Sequence, residues 1–123
     1  MAAASKTRTS QQDVLRGTLD LLILRTLQLE PMHGWAIAQR IQQLSREALQ
    51  VGQGSLYPAL QRLEQRGFVD SDWRISDRGR RARYYSLTHS GRKALGEETA
   101  SWRSYVDAVE GVLAAEPVEE GGT

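Results

Sequence analysis

Apolar residues recur at helical spacing over three separate stretches in the first half of the chain. They run from Leu15 to Leu29, from about His33 or Gly34 to Ser45, and from Ser55 to Arg66. The first stripe covers most of the helix circumference, so we expect that helix to be buried on more than one side, partly by a second subunit. Pro31 is expected to end it, because proline cannot continue a helix.

The third stretch has its own start and stop residues. Ser55 is predicted as the N-cap, with the leucines of the helix facing the core. Pro58 would then be the third helical residue, where a missing N–H has no intrahelical partner to lose. Gly67 is expected just past the end of the helix, where a left-handed residue is common.

A two-stranded hairpin and a long helix are predicted for the second half. Phe68–Ile75 and Arg83–Leu87 are rich in aromatic and β-branched residues, and Ser76–Arg81 between them has turn composition. Thr88 is expected to cap a helix over about His89–Ala114. Its apolar residues approximate a heptad seam, which is typical of packing against partner helices.

These elements predict a mainly helical fold with a small β-hairpin: a winged helix-turn-helix followed by a long C-terminal dimerisation helix. We expect a flexible arm at 1–12, the DNA-binding domain at 13–88, the dimerisation helix at 89–115 and a disordered tail at 116–123.

Composition narrows the class of protein. The chain has 123 residues, 40% of them hydrophobic, no cysteine, and 16 basic against 15 acidic side chains. We therefore expect a single cytoplasmic domain without disulfides, membrane spans or cofactors. The charge is uneven, since residues 73–93 carry seven basic side chains and one acidic one. Such a local cation cluster indicates an anionic partner or, as the alternative, a solvated turn.

The predicted third helix has the features of a DNA-reading helix. A helix of this size fits the major groove of B-DNA, where base edges are distinguishable. Gln61 and Arg62 are the candidates for base contacts, and Ser55 and Tyr57 offer hydroxyl groups to phosphates. The arginines of the predicted hairpin would lie beside the same duplex and contact phosphates or the minor groove.

Four segments resemble one known family. They are His33–Ile37, Gly54–Glu64, Arg83–Gly91 and the single Trp102. Together they closely resemble the PadR family of bacterial transcription regulators, over about Leu15 to Leu113. The single C-terminal helix is similar to the small subfamily that includes multidrug-responsive repressors.

The resemblance implies a homodimer that binds a palindromic operator in double-stranded DNA and acts as a repressor. The C-terminal helix would pack against the partner's first helix. Trp35 departs from the family, which usually has tyrosine at this position. The predicted DNA contacts are His33, Gly34, Gln53, Gly54, Ser55, Tyr57, Pro58, Gln61, Arg62, Arg78, Arg80, Arg81, Arg83 and Tyr84.

The resemblance also implies an effector site, because some small relatives stack flat aromatic compounds on a tryptophan of the final helix. Trp102 matches that residue. The alternative is that Trp102 simply fills the dimer interface. The residues predicted to line this site are Leu15, Leu19, Trp102, Val106 and Val109.

The sequence lacks the motifs of two other classes of protein, enzymes and metal-binding proteins. The Gly52–Ser55 segment lacks the lysine of a phosphate-binding loop and the spacing of a nucleophile elbow, so we expect no enzyme. His33 and His89 have no ligand spacing around them, so we expect no metal site. The remaining alternative is a winged-helix module that binds proteins and not DNA. Such a module tends to lack cations on the helix and hairpin.

Overall fold

The computed structural model describes residues 18–118, and within that range it has four helices and three strands. The helices are α1 (Leu19–Leu29), α2 (Gly34–Leu44), α3 (Gln53–Gln65) and α4 (His89–Leu113), and the strands are β1 (Met32–His33), β2 (Val69–Ile75) and β3 (Arg81–Leu87). The predicted fold class, a winged helix-turn-helix followed by a long helix, is confirmed. Leu15, the predicted arm at 1–12 and residues 119–123 of the predicted tail lie outside the described residues.

Helix α1 supplies the centre of the core. Its buried side chains include Leu19, Ile23, Leu24 and Leu27, and it packs against the other three helices and β3. Full burial of each such side chain contributes about 1.5–3 kcal/mol to folding. The helix ends before Pro31, as predicted, because its C-cap residue Glu30 is extended and a residue before proline disfavours the helical region.

Helix α3 begins earlier than predicted, and the assignment of Ser55 as its N-cap was wrong. The N-cap is Gly52, whose extended backbone places its carbonyl oxygen 3.1 Å from the Ser55 nitrogen and 3.0 Å from the Leu56 nitrogen. Ser55 therefore lies inside the helix, and Pro58 lies in its second turn rather than its first. Because Pro58 has no N–H, it cannot donate to the carbonyl of Gly54 four residues earlier, which lies on the exposed side of the helix.

The end of α3 follows the prediction. Gly67 has φ +81°, and its N–H donates to the Glu64 carbonyl while the N–H of Phe68 donates to the Leu63 carbonyl. This pair of bonds is a Schellman motif, in which a left-handed C′ residue satisfies the last carbonyls of the helix. The chain thereby turns directly from α3 into β2.

The sheet has three strands, one more than predicted. β1 pairs antiparallel with β3, and the order is β1-β3-β2. Met32 lies opposite Tyr85 and is buried with it in the core. A strand of two residues has no alternation to detect, so the hydrophobic pattern could not reveal it.

The two long strands and their turn form the wing, defined here as residues 69–87. Trp73 lies opposite Arg83 and Ile75 opposite Arg81, so Arg81 belongs to β3 and not to the predicted turn. The turn closes through a bond from the Gly79 nitrogen to the Ser76 carbonyl, with Gly79 at φ +77°. A turn followed by a left-handed glycine is a common way to close a hairpin of this length.

Helix α4 begins directly against the base of the wing. The Thr88 hydroxyl accepts a bond from the Gly91 N–H at 2.9 Å and donates to the Gly67 carbonyl at 2.7 Å. A Cβ at Gly91 would lie 2.1 Å from the Phe68 carbonyl oxygen, so only glycine permits this approach. Ala94 and Leu95 also enter the core, and the rest of α4 continues beyond it.

Candidate nucleic-acid interface

Helix α3 presents three different sides. Leu56, Ala59, Leu60 and Leu63 face the core. On the opposite side the exposed residues are Gly54, Pro58, Gln61 and Gln65. This side of the helix is exposed and polar, and its first residue is a glycine without a side chain. Such a side can approach a duplex closely.

Arg62 does not share that outward side. Its Nη2 lies 3.0 Å from Oδ1 of Asp20, in the first turn of α1. Glu64, two positions later, is bonded to the wing. Residues two apart on a helix point about 200° apart, so Arg62 points away from the wing while Glu64 points towards it. Gln61 is the better placed of the two predicted base-reading residues.

The start of α3 is open to solvent. Gln53 and Gly54 are exposed, and no side chain caps the first turn. The first N–H groups of a helix have no intrahelical partner and carry partial positive charge, which favours a phosphate. Ser55 is half-buried and lies on the flank of α3 that also carries Arg62, seven residues later.

Tyr57 is positioned by a glycine of α2. A Cβ at Gly34 would lie 2.5 Å from the Tyr57 hydroxyl oxygen, so the ring occupies the space that a side chain would fill. Gly34 itself is buried, while 42% of Tyr57 remains exposed. The part played by Gly34 in the interface is therefore to hold Tyr57 between α2 and α3.

His33 caps α2 and does not project freely. Its Nδ1 accepts a bond from the Ala36 N–H at 3.2 Å. Its ring packs edge-on against Tyr84, with centroids 5.3 Å apart, and lies 6.4 Å from the Trp35 ring. His33 and Tyr84 form one half-buried aromatic cluster at the sheet edge, with Trp35 exposed beside it.

The wing carries its arginines in three settings. Arg78 and Arg80 are exposed in the turn and have no ion-pair partner among residues 18–118. Arg81 lies over the Trp73 ring, 4.8 Å from its centroid. Arg83 is also near that ring, at 5.7 Å, but its guanidinium is engaged elsewhere as well. The predicted cation cluster is therefore real but not uniform.

Strand alternation divides the wing into two faces. Trp73, Arg81 and Arg83 lie on the face that begins with buried Val69 and Tyr85, which is the face towards α3. Tyr84 lies on the other face, with the Arg74 guanidinium 5.2 Å above its ring. The structure thus brings Arg81 and Arg83 to the α3 side of the wing and separates Tyr84 from them.

Two residues that were not predicted from the sequence, Ser71 and Glu64, connect the wing to α3, and a third, Trp73, contacts the wing arginines. The Ser71 hydroxyl donates to Oε2 of Glu64 at 2.7 Å and accepts from Nε of Arg83 at 2.9 Å. Trp73 supports Arg81 and Arg83 from the same face. The strand register would have paired Trp73 with Arg83, whereas no sequence pattern links Glu64 to the wing.

The pKa of Tyr85, which is buried at the base of the wing, is raised above its ordinary value. Burial of its hydroxyl is the main cause, and the nearby Glu64 carboxylate and Tyr57 add to it. The Arg83 guanidinium opposes the shift by charge and by a hydrogen bond to Tyr85.

The predicted effector residues are only partly brought together. A cavity of about 900 Å³ lies between α1 and α4, and its lining includes Leu22, Leu95, Trp102 and Val106. Leu19 packs in the core instead, Val109 lies outside the lining, and Leu15 lies outside the described residues.

The far part of α4 has an uncovered apolar face. Its exposed large side chains include Trp102, Tyr105, Val109 and Val112, from 38% exposed at Val109 to 76% at Val112. The rings of Trp102 and Tyr105 are 6.2 Å apart. Contiguous exposed apolar surface of this kind marks an interaction site.

Neither a membrane-spanning helix nor a metal site is found in residues 18–118. None of the helices there combines the length and the apolar character that crossing a bilayer requires. No group of three or more His, Cys, Asp or Glu in that range could hold a metal ion.

Comparison with known proteins supplies the family. The model of the transcriptional regulator PadR-like family matches residues 23–97, which covers the helix-turn-helix, the wing and the start of α4. The chain belongs to the PadR-like family of transcriptional regulators. The resemblance seen in the sequence is thereby confirmed.

Individual PadR-like relatives agree with this assignment. A transcriptional regulator of Mycobacterium tuberculosis is 41% identical over 83 residues, covering 68% of this chain and 74% of that protein. The structure of a PadR family transcriptional regulator from Eggerthella lenta has a TM-score of 0.76 at 29% identity, covering 94% of this chain and 99% of that one. A PadR-like regulator from Bacillus cereus has a TM-score of 0.74 at 26% identity, covering 85% and 100%.

Proposed function

We propose that this PadR-like chain is a dimeric, sequence-specific DNA-binding repressor of a palindromic operator. The observation that carries the proposal is the placement of an uncovered polar side of α3 next to a wing whose turn arginines are free. Both surfaces are chemically suited to one duplex, since amides read base edges and guanidinium groups bind phosphates.

Within this proposal α3 is the recognition helix. Gln61 reads a base edge from the outward side, where glutamine can pair with adenine. The open first turn at Gln53, Gly54 and Ser55 binds a backbone phosphate, with Tyr57 beside it. Pro58 packs against the groove wall. Arg62 contributes to DNA binding only if its guanidinium breaks the ion pair with Asp20.

The wing provides the electrostatic part of the affinity. Arg78 and Arg80 are free to meet phosphates on either side of the minor groove, and Arg81 is held in reach by Trp73. His33, Gly34 and Tyr84 support this surface from the sheet edge, where His33 and Tyr84 pack together and Gly34 seats Tyr57.

The dimer follows from the uncovered face of α4. Packed against α1 and α4 of a second copy, Trp102, Tyr105 and Val109 would be removed from water, which stabilises association. A twofold axis through that contact would present two recognition helices to two half-sites of a palindrome.

An effector would occupy the cavity between α1 and α4. The lining combines apolar Leu22, Leu95 and Val106 with the flat Trp102 ring, which suits a small aromatic compound. Tryptophan fluorescence should then be quenched by planar aromatic compounds, and the quenching should vanish in Trp102→Ala while sedimentation still gives a dimer. Loss of the dimer in this variant would instead assign Trp102 to the interface alone.

The central test is DNA binding over a salt series. The full chain is titrated onto a duplex from its own promoter region and onto a scrambled duplex of the same length. If Z phosphates are contacted, log K for binding falls against log salt with slope about −0.9Z. Tighter and salt-dependent binding of the promoter duplex is expected. A flat response in a folded sample would refute DNA binding and favour the protein-binding module.

A further inference from the structure

Arg83 has more partners inside the protein than any other wing arginine in residues 18–118. Its Nε donates to the Ser71 hydroxyl at 2.9 Å, and its Nη2 lies 3.6 Å from Oε2 of Glu64. It also lies beside the Trp73 ring, 5.7 Å from the ring centroid. A guanidinium with neighbours on its edge and its face has little freedom to turn to another anion.

These partners come from two different elements. Glu64 belongs to α3, whereas Ser71 and Trp73 belong to β2. The carboxylate of Glu64 accepts a hydrogen bond from Ser71 of β2 and forms an ion pair with Arg83 of β3, so one acidic group of the recognition helix contacts both strands of the wing. Glu64, Ser71 and Arg83 are called the wing–helix network below.

We propose that Arg83 is a positioning residue that sets the placement of the wing relative to the recognition helix, and that it is not a phosphate contact. The proposal rests on the proposed DNA-binding function and reassigns one residue that was predicted from the sequence to touch DNA. Arg78 and Arg80, which have no such partners, carry the phosphate contacts of the wing turn.

Placement matters because one duplex must be met at two points. The recognition helix enters a major groove while the wing meets the adjacent backbone, and an error of placement at either point weakens both contacts. The wing–helix network removes the freedom of the hairpin to swing on its base. The protein should therefore prefer its operator sequence through the fixed placement of the wing relative to the recognition helix as well as through direct base contacts.

The sign of the Glu64 effect separates positioning from plain electrostatics. Glu64 places a negative charge beside a surface that binds a polyanion. If that charge acted only at long range, its removal would tighten binding to every duplex. If Glu64 holds the wing, its removal weakens the preference for the selected sequence despite the more favourable charge.

The experiment compares Arg83→Gln, Glu64→Gln and the double variant with Arg80→Gln in the full chain. Arg80→Gln is a matched control, because it changes the net charge as Arg83→Gln does and removes a free wing cation. The probes are a duplex selected by the wild-type protein from a random-sequence library and a scrambled duplex of the same length. Both are titrated over a salt series, and thermal melting confirms that each variant is folded.

Positioning predicts distinct outcomes for the two arginines. Arg80→Gln should weaken both duplexes alike and make the salt slope shallower by about 1.8, because the dimer loses one phosphate contact in each protomer. Arg83→Gln should keep the wild-type slope and lower the ratio of selected to scrambled binding by about three- to tenfold. Glu64→Gln should lower that ratio too, and the double variant should lose no more than Arg83→Gln alone.

Other results would overturn the inference. A shallower slope and an unchanged ratio in Arg83→Gln would make it a phosphate contact like Arg80. Uniformly tighter binding in Glu64→Gln, or losses that add in the double variant, would remove the network. If Arg83→Gln fails to fold, Glu64→Gln decides by the sign of its effect. A wild-type chain without salt-dependent DNA binding would refute the proposed function, and this inference with it.

Discussion

At the scale of single residues, identical side chains have different roles because their neighbours differ. Arg78 and Arg80 project from a turn, Arg81 stacks on Trp73, and Arg83 is bonded to Glu64 and Ser71. Free guanidinium groups are available to phosphates, whereas a paired one must first lose its partners. Under the proposed function, fewer phosphate contacts are therefore expected than the wing has arginines.

Glycine at position 54 is not required by the protein's own packing. A Cβ built there meets nothing within 4 Å, and the residue is not among those with positive φ. Glycine in a helix costs about 0.5–1 kcal/mol relative to alanine, so the fold itself should accept alanine at this position.

Gly54→Ala should therefore raise stability and weaken DNA binding. We expect a gain of about 0.5 kcal/mol in the free energy of unfolding, because alanine restricts the unfolded chain, together with a loss of affinity from steric contact with a phosphate. Urea denaturation and DNA titration measure the two effects. Gly111→Ala in α4, which also meets nothing within 4 Å, is the control and should leave DNA binding unchanged. Unimpaired binding by Gly54→Ala would show that no backbone approaches there.

At the scale of elements, α3 owes its role to having three distinct sides. One side enters the core, one is tied to the wing through Glu64, and the outward side carries Gln61. Its periodicity identified the core side from the sequence. The contacts of its two flanks could not be predicted from periodicity, because Asp20 and Ser71 belong to other elements of the fold.

This division of sides predicts different effects for neighbouring residues. Gln61→Ala should broaden the set of sequences recovered in a site-selection experiment, because it removes a base contact worth about 1–3 kcal/mol. Arg62→Ala should leave the selected sequence unchanged and lower stability by at most about 1 kcal/mol, through loss of the exposed pair with Asp20. The reverse pattern, with altered selection only in Arg62→Ala, would place the base contact on the α1 side of the helix.

At the scale of the whole molecule, α4 is long relative to the part of it that the core uses. Its buried residues are Gly91, Ala94 and Leu95, all in the first two turns, while the apolar face continues to Leu113. In a chain with 25% charged residues, polar side chains could have occupied this face. Its contiguous apolar surface therefore indicates an interaction site. A second copy that covers this face is the economical solution for a protein proposed to bind a palindrome.

Val109→Asp should accordingly weaken the dimer and, with it, binding to a two-half-site operator. A charge buried in an apolar contact is strongly unfavourable, and each protomer alone would meet only one half-site. Sedimentation velocity over a concentration series measures the dimer, and DNA titration measures the consequence. Ser104→Asp, exposed on the opposite side of α4, is the control and should behave as wild type. A dimer that is unaffected by Val109→Asp would require a different interface.

The sequence alone determined the type and order of the long elements, the end of α3 at Gly67 and the cap of α4 at Thr88. These depend on local causes, namely hydrophobic periodicity, glycine conformation and side chains that bond to nearby backbone. Tertiary structure decided the pairing of β1 and the direction of Arg62. Each of these depends on a partner contributed by another element, and no local pattern records which distant residue folding will bring alongside.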